Sequence, residues 1–248
     1  MTRDQTARLR FLEAAAFCKR DASGGIGTLG EKTLHAVLKH YCQPDGRFHE
    51  VKVGRSVADI RDENGITEIQ TRSFDRLRPR LERFLPLGRV TVVYPVAHSK
   101  FVLWLDPMNG GVTKKRKSPK QGAAWDVLPE LYKISAFLQH PNLSLRVVLL
   151  DIDEYRLLDG WSDDRKKGST RHERIPNDWL GEVRIDGVED WKRLLPPDLP
   201  QEFDSARFAR CCKRTRRFAQ TALRVLNEVG AVERIGKKGN TFIYKIGQ

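Results

Sequence analysis

Apolar positions in this chain recur first with a helical period. In Glu31–Cys42 (EKTLHAVLKHYC), Leu34, Val37, Leu38 and Tyr41 fall at i, i+3, i+4 and i+7, the stripe of a helix that buries one side. Gln43-Pro44-Asp45-Gly46 ends it. The period then shortens to that of strands. Phe48–Val53, Ser56–Arg61 and Ile66–Thr71, separated by Gly54-Arg55 and by Asp62-Glu63-Asn64-Gly65, predict an antiparallel meander, because Asn-Gly readily takes the positive φ angles of a two-residue hairpin turn. Ser73 caps a second helix (FDRLRPRLERFLP) with Leu77, Leu81, Phe84 and Leu85 as its apolar stripe. Pro79 lies in the first turns of that helix, where a missing N–H costs least. Val90–Val96, bounded by Gly88 and Pro95, predicts a buried strand, with Lys100–Leu105 as its neighbour.

Less regular segments surround this core. Residues 4–20 are mixed apolar and basic with helical spacing and end at Ser23-Gly24-Gly25, which predicts a peripheral leading helix. Thr113–Gln121 (TKKRKSPKQ) has no apolar period and reads as an exposed basic loop. A helix over Ala124–Leu138 and an apolar strand over Leu143–Ile152 are separated by His140-Pro141-Asn142. A second basic loop, Ser162–Arg174, leads into a linker-like stretch holding Pro176, Pro196, Pro197 and Pro200. Two helices follow, Ser205–Lys213 and Thr215–Val229, and then two short strands around Gly236-Lys237-Lys238-Gly239-Asn240. The expected division is a helical extension over 1–28, an α/β domain over 29–160, a basic loop and linker over 161–202, and a small domain over 203–248.

Composition narrows the class of partner. With 40% hydrophobic and 31% charged residues, the 248-residue chain has the material of a folded globular protein. Its formal net charge of +13 points to a polyanion, because such a surface attracts phosphates over a Debye length. Cys18, Cys42, Cys211 and Cys212 lack the C-x-x-C spacing of a structural zinc site. No secretory signal and no apolar run of about 18 residues is present, so no membrane partner is expected and the expected location is cytoplasmic.

The meander also arranges carboxylates. Strand alternation places Val57 with Asp59 on one face, and Ile66, Glu68 and Gln70 on one face of the next strand. The Asn64-Gly65 turn pairs the two strands, so Asp59 and Glu68 come side by side. Like charges across a sheet repel unless a cation sits between them. Mg²⁺ or Mn²⁺, held by two carboxylates plus waters and substrate phosphate, would meet that need. The generic alternative is an ordinary solvated hairpin face.

Glu31 on a helix, Asp59 ending the second strand and Glu68-Ile69-Gln70 on the third, followed by a helix, resemble the PD-(D/E)XK nuclease superfamily. Within it the order of elements is most similar to Holliday-junction-resolvase-like and restriction-endonuclease-like members, over about residues 29–105. The resemblance implies an α/β fold with an αβββαβ core and a mixed sheet. Asp59 and Glu68 would bind metal, the Ile69 carbonyl could add a ligand, and Glu31 would bind metal or orient water. Most active members carry lysine where this chain has Gln70, which brings no charge; Lys52 and Arg72 are the candidate compensating cations. The function implied is a metal-dependent DNA endonuclease or structure-specific nuclease that leaves a 5′-phosphate. The alternative is a non-catalytic DNA-binding or regulatory protein on a degenerate nuclease fold. By analogy with relatives that cut two strands, a homodimer is expected.

The last segment resembles a winged helix-turn-helix. That likeness implies that Lys213, Arg214, Arg216, Arg217 and Gln220 start the helix that enters a DNA groove, with Lys237 and Lys238 at the tip of the wing. The tract Lys114-Lys115-Arg116-Lys117 is a further candidate DNA contact, to duplex or branched DNA; phosphate contacts alone do not separate DNA from RNA. The whole chain also resembles a family of uncharacterised bacterial proteins, a likeness that implies nothing about substrate.

Overall fold

The computed structural model describes residues 2–21, 33–71, 73–106, 111–161 and 167–247. It is a mixed α/β protein with a large mixed sheet and several helices, and it divides into two compact units. The units interleave along the chain. Residues 1–51, 95–123 and 148–182 form the first; residues 52–94, 124–147 and 183–248 form the second. Among the described residues no helix is long and apolar enough to cross a membrane.

The first unit starts with two helices whose apolar stripes match. In α1 (Arg3–Asp21), Phe11, Ala14, Ala15 and Cys18 are buried, and in α2 (Thr33–Cys42), Leu34, Val37, Leu38 and Tyr41. The Phe11 and Tyr41 rings meet edge to face with centroids 5.6 Å apart. Strand β1 (His49–Val53) follows and ends in the second unit.

In the second unit β2 (Ser56–Asp62) and β3 (Gly65–Ile69) pair antiparallel, with Ile60 opposite Thr67 and Asp62 opposite Gly65. A crossover through α3 (Arg78–Phe84) then brings in β4 (Val90–Leu105) parallel to β3, with Ile66 opposite Val90 and Ile69 opposite Val93. The crossover is flanked by short 3₁₀ turns and buries Phe74, Leu77, Leu81, Phe84 and Leu85. A parallel return needs such a connection because its two strands run the same way. Gly65 makes the tight turn possible: its φ is +115°, and a Cβ there would stand 2.4 Å from the Arg89 carbonyl oxygen.

Several expectations are corrected at this level. The two strands expected on either side of Pro95 are a single strand, β4, half of which belongs to each unit. Pro95 gives up an amide donor, but its fixed φ is compatible with extended backbone, so the strand continues. In the basic tract, Arg116–Lys117 form a short strand, β5, antiparallel to β4. The helix expected over 124–138 is broken into a 3₁₀ turn, the one-turn α4 (Leu128–Leu131) and a further 3₁₀ stretch with non-helical backbone at Ile134. Strand β6 runs on to Trp161 (Leu143–Trp161). The second basic loop and the start of the linker are largely strand: β7 spans Lys167–Ile185, while residues 162–166 lie outside the described residues. Here pairing with β6 supplies the order that the polar sequence lacks. The sheet order is β1-β2-β3-β4-β6-β7, with β5 on β4.

The C-terminal segment, within the second unit, adds a separate three-stranded sheet. Strand β8 (Glu202–Asp204), α5 (Ser205–Cys212), α6 (Arg216–Glu228), β9 (Val232–Lys238) and β10 (Thr241–Ile246) follow one another, with sheet order β8-β10-β9. Asp204 caps α5 through the Arg207 N–H and Thr215 caps α6 through the Phe218 N–H. Lys213 takes the left-handed conformation, φ +52°, that ends α5. Phe208, Ala219, Ala222, Leu223, Val225, Leu226 and Val232 form the local core.

Candidate functional site

Asp59 on β2 and Glu68 on β3 each lie one residue beyond the Ile60–Thr67 pair, on adjoining strands. Both are buried: Asp59 is 6% exposed and Glu68 0%. A solvated hairpin face is therefore excluded. Two carboxylates removed from water need hydrogen bonds and opposite charge to remain ionised. The Ile69 N–H donates to Asp59 Oδ2 at 2.7 Å. Arg80 Nη1 lies 2.9 Å from Glu68 Oε2, and its Nη2 lies 3.8 Å from Asp59 Oδ1. Arg80 also donates to the Val57 carbonyl and rests 6.0 Å from the Phe84 ring centroid. A guanidinium thus stands where the sequence called for a cation. It reaches the pair from the first turn of α3, beside Leu81 in the buried stripe of that helix.

The remaining expected site residues sit differently. Gln70 follows β3, its N–H donating to the Val93 carbonyl at 2.9 Å and its side chain half-buried. Lys52 is exposed on β1. Glu31 and Arg72 lie outside the described residues. Arg80 escaped the sequence reading because it is one of many basic residues in a polar helix. The usable signal was its position, one residue before Leu81 and three after Leu77, at the edge of the buried stripe. Among the described residues no group of three or more His, Cys, Asp or Glu is placed to hold a metal ion. As donors, Asp59 and Glu68 fit Mg²⁺ or Mn²⁺, hard cations that bind one or two carboxylates and complete their octahedron with waters and phosphate oxygens.

In the first unit a second buried carboxylate, Glu154, is surrounded by cations. Arg156 Nε lies 2.7 Å from it, Lys100 Nζ 3.3 Å and Arg171 Nε 3.4 Å. Burial pulls the Glu154 carboxyl upward, but these three charges outweigh it and hold the group below its ordinary range. In the basic tract, Lys115 pairs with Asp153 at 2.7 Å and lies over the Phe101 ring, whereas Lys114, Arg116 and Lys117 are exposed.

In the C-terminal segment the basic residues divide by role. Arg214 is 11% exposed and grips Asp126 with two bonds of 2.6 Å, so it holds structure together. Lys213, Arg216, Arg217 and Gln220 are exposed in the turn and first turns of α6, and Lys237 and Lys238 are exposed at the end of β9.

A family model described as "Domain of unknown function (DUF8091)" matches residues 32–186. An uncharacterised protein of Treponema pallidum (strain Nichols) is 32% identical over 237 residues, covering 89% of this chain and 87% of the relative. No solved structure matches.

Proposed function

Since the chain belongs to the family described as Domain of unknown function (DUF8091), we propose its function from the geometry: it is a metal-dependent DNA nuclease of the PD-(D/E)XK type, guided to DNA by a C-terminal winged helix. The observation that carries this reading is the buried Asp59–Glu68 pair on an antiparallel hairpin whose second strand returns, through the α3 crossover, parallel to β4. Helix α2, strands β1, β2 and β3, the α3 crossover and β4 follow one another along the chain in the αβββαβ order that the resemblance implies, which supports the reading. The capped α5–α6 pair followed by a β hairpin supports the winged helix.

Asp59 and Glu68 would hold the ion, which when bound supplies an activated water and a Lewis acid for a phosphodiester. The Ile69 N–H fixes Asp59, and Arg80 fixes Glu68 while adding a permanent positive charge beside the pair. Arg80 thereby supplies the charge that Gln70 does not. Gln70 retains hydrogen-bonding capacity toward a phosphate oxygen or a water.

The test is incubation of the purified protein and of Asp59→Ala with supercoiled, linear and branched DNA in Mg²⁺ or Mn²⁺. Metal-dependent cleavage that is lost in Asp59→Ala is expected. Intact DNA binding with no cleavage of any substrate would refute the enzymatic reading, and equal cleavage by Asp59→Ala would refute the site.

A further inference from the structure

Residues 202–247 carry eleven Lys and Arg against four Asp and Glu, and part of that excess lines a concavity. Between α6 and the β9–β10 hairpin lies a cleft of about 440 Å³. Arg216, Arg224 and Arg234 line it together with Asn227, Phe242 and Tyr244, and no Asp or Glu does. None of the three arginines forms an ion pair among the described residues. Three guanidinium groups gathered without a carboxylate repel one another, and an anion relieves that repulsion. The cleft is more than a phosphate seat. Arg234 lies 4.4 Å from the Phe242 ring centroid, and its backbone N–H donates to Asn227 Oδ1 at 3.0 Å. Ring and guanidinium together offer a planar, weakly hydrated surface of the kind on which nucleobases stack.

We propose that this cleft binds an unpaired nucleotide, its phosphate held by Arg216, Arg224 and Arg234 and its base stacked on the Phe242–Arg234 surface. A paired duplex shows its phosphates but hides its base faces, so it would leave the aromatic half of the cleft unused. Arg224 and Arg234 lie beyond the first turn of α6, while Arg216 and Gln220, two of the residues expected to enter a groove, line the same cleft and join it to the duplex-facing surface. The ligand chemistry, a phosphate next to an unstacked base, is shared by a frayed or branched DNA strand and by a free nucleotide. The inference rests on the DNA-binding half of the function proposed above and not on catalysis.

The test measures fluorescence anisotropy with the full chain in EDTA, so that cleavage plays no part. Probes are a blunt duplex, the same duplex with a short single-stranded tail, and the same tail made abasic. One stacked base corresponds to a tail that binds about tenfold tighter than the blunt end. Arg224→Gln, at an exposed helix position, and Phe242→Leu are each expected to remove that gain; blunt-duplex affinity should stay within about twofold in Arg224→Gln, the variant on which it is judged, because Lys237 also lies 4.7 Å from the Phe242 ring centroid. If Phe242→Leu loses its fold by circular dichroism, Arg224→Gln decides. Equal binding of blunt and tailed DNA overturns the inference and leaves the duplex-binding and nuclease readings standing. A gain retained by the abasic tail overturns it too, because phosphates alone then suffice. Competition by a nucleoside monophosphate, but not by inorganic phosphate, supports the cleft. A monophosphate that binds more tightly than the tail identifies the free nucleotide as the source, and the reverse order identifies the strand end.

Discussion

Replacing Arg80 by Met keeps most of its hydrophobic stem and removes the charge that faces Asp59 and Glu68. Glu68 is wholly buried and Asp59 nearly so, while the Arg80 side chain is 28% exposed. Breaking a fully buried pair by removing one partner costs about 3–5 kcal/mol. Water reaches part of this guanidinium, so the expected loss is smaller, about 2–3 kcal/mol. For a chain of this size that lowers the melting temperature by about 5–10 °C. Lys192→Met is the control: its partner Glu189 has a side chain 79% exposed, and the expected loss is under about 0.5 kcal/mol. Adding Glu68→Gln to Arg80→Met removes the more deeply buried of the two carboxylate charges at nearly constant shape and should recover about 1–2 kcal/mol. Thermal and urea unfolding of the three variants are the assays. An Arg80→Met shift no larger than that of the control, or a double variant no more stable than Arg80→Met, would refute the view that this guanidinium stabilises the carboxylate pair.

Two further outcomes follow from local geometry. Gly65→Ala forces a left-handed φ on alanine and drives its Cβ into the Arg89 carbonyl, so it should lower stability by about 3 kcal/mol, read by urea unfolding; a loss under about 1 kcal/mol would show that the turn relaxes. Glu154 has a folded pKa below its ordinary 4.5, so its ionised form contributes stability above pH 4.5 that is lost as pH falls through the lower folded value. Glu154→Gln should therefore flatten the acid limb of stability against pH, and an unchanged acid limb measured by thermal melts from pH 7 to pH 3 would count against it.

Much of the local structure was legible because it is written in period and punctuation. The α2 stripe, the α5 and α6 helices and the β9–β10 hairpin follow from side-chain spacing and from turn residues whose conformational preferences are local, and so does the β2–β3 hairpin, although its two turn residues are Glu63-Asn64, one residue earlier than expected, with Gly65 paired to Asp62. The same reasoning put Asp59 beside Glu68, because an antiparallel ladder once started at a turn sets every later pair. It failed where order comes from a partner. Lys167–Arg174 reads as solvated loop but is extended strand because β6 satisfies its backbone, and Glu202–Asp204 is too short to show a period yet pairs with β10.

The sequence by itself determined that two carboxylates would lie side by side on a hairpin and that the chain would carry a large positive charge. The tertiary structure alone decided that the pair is buried rather than solvated, and that a guanidinium from the following helix faces it. Burial depends on what covers a strand, and the reach of Arg80 depends on how α3 crosses the sheet. Neither is a property of residues near in sequence.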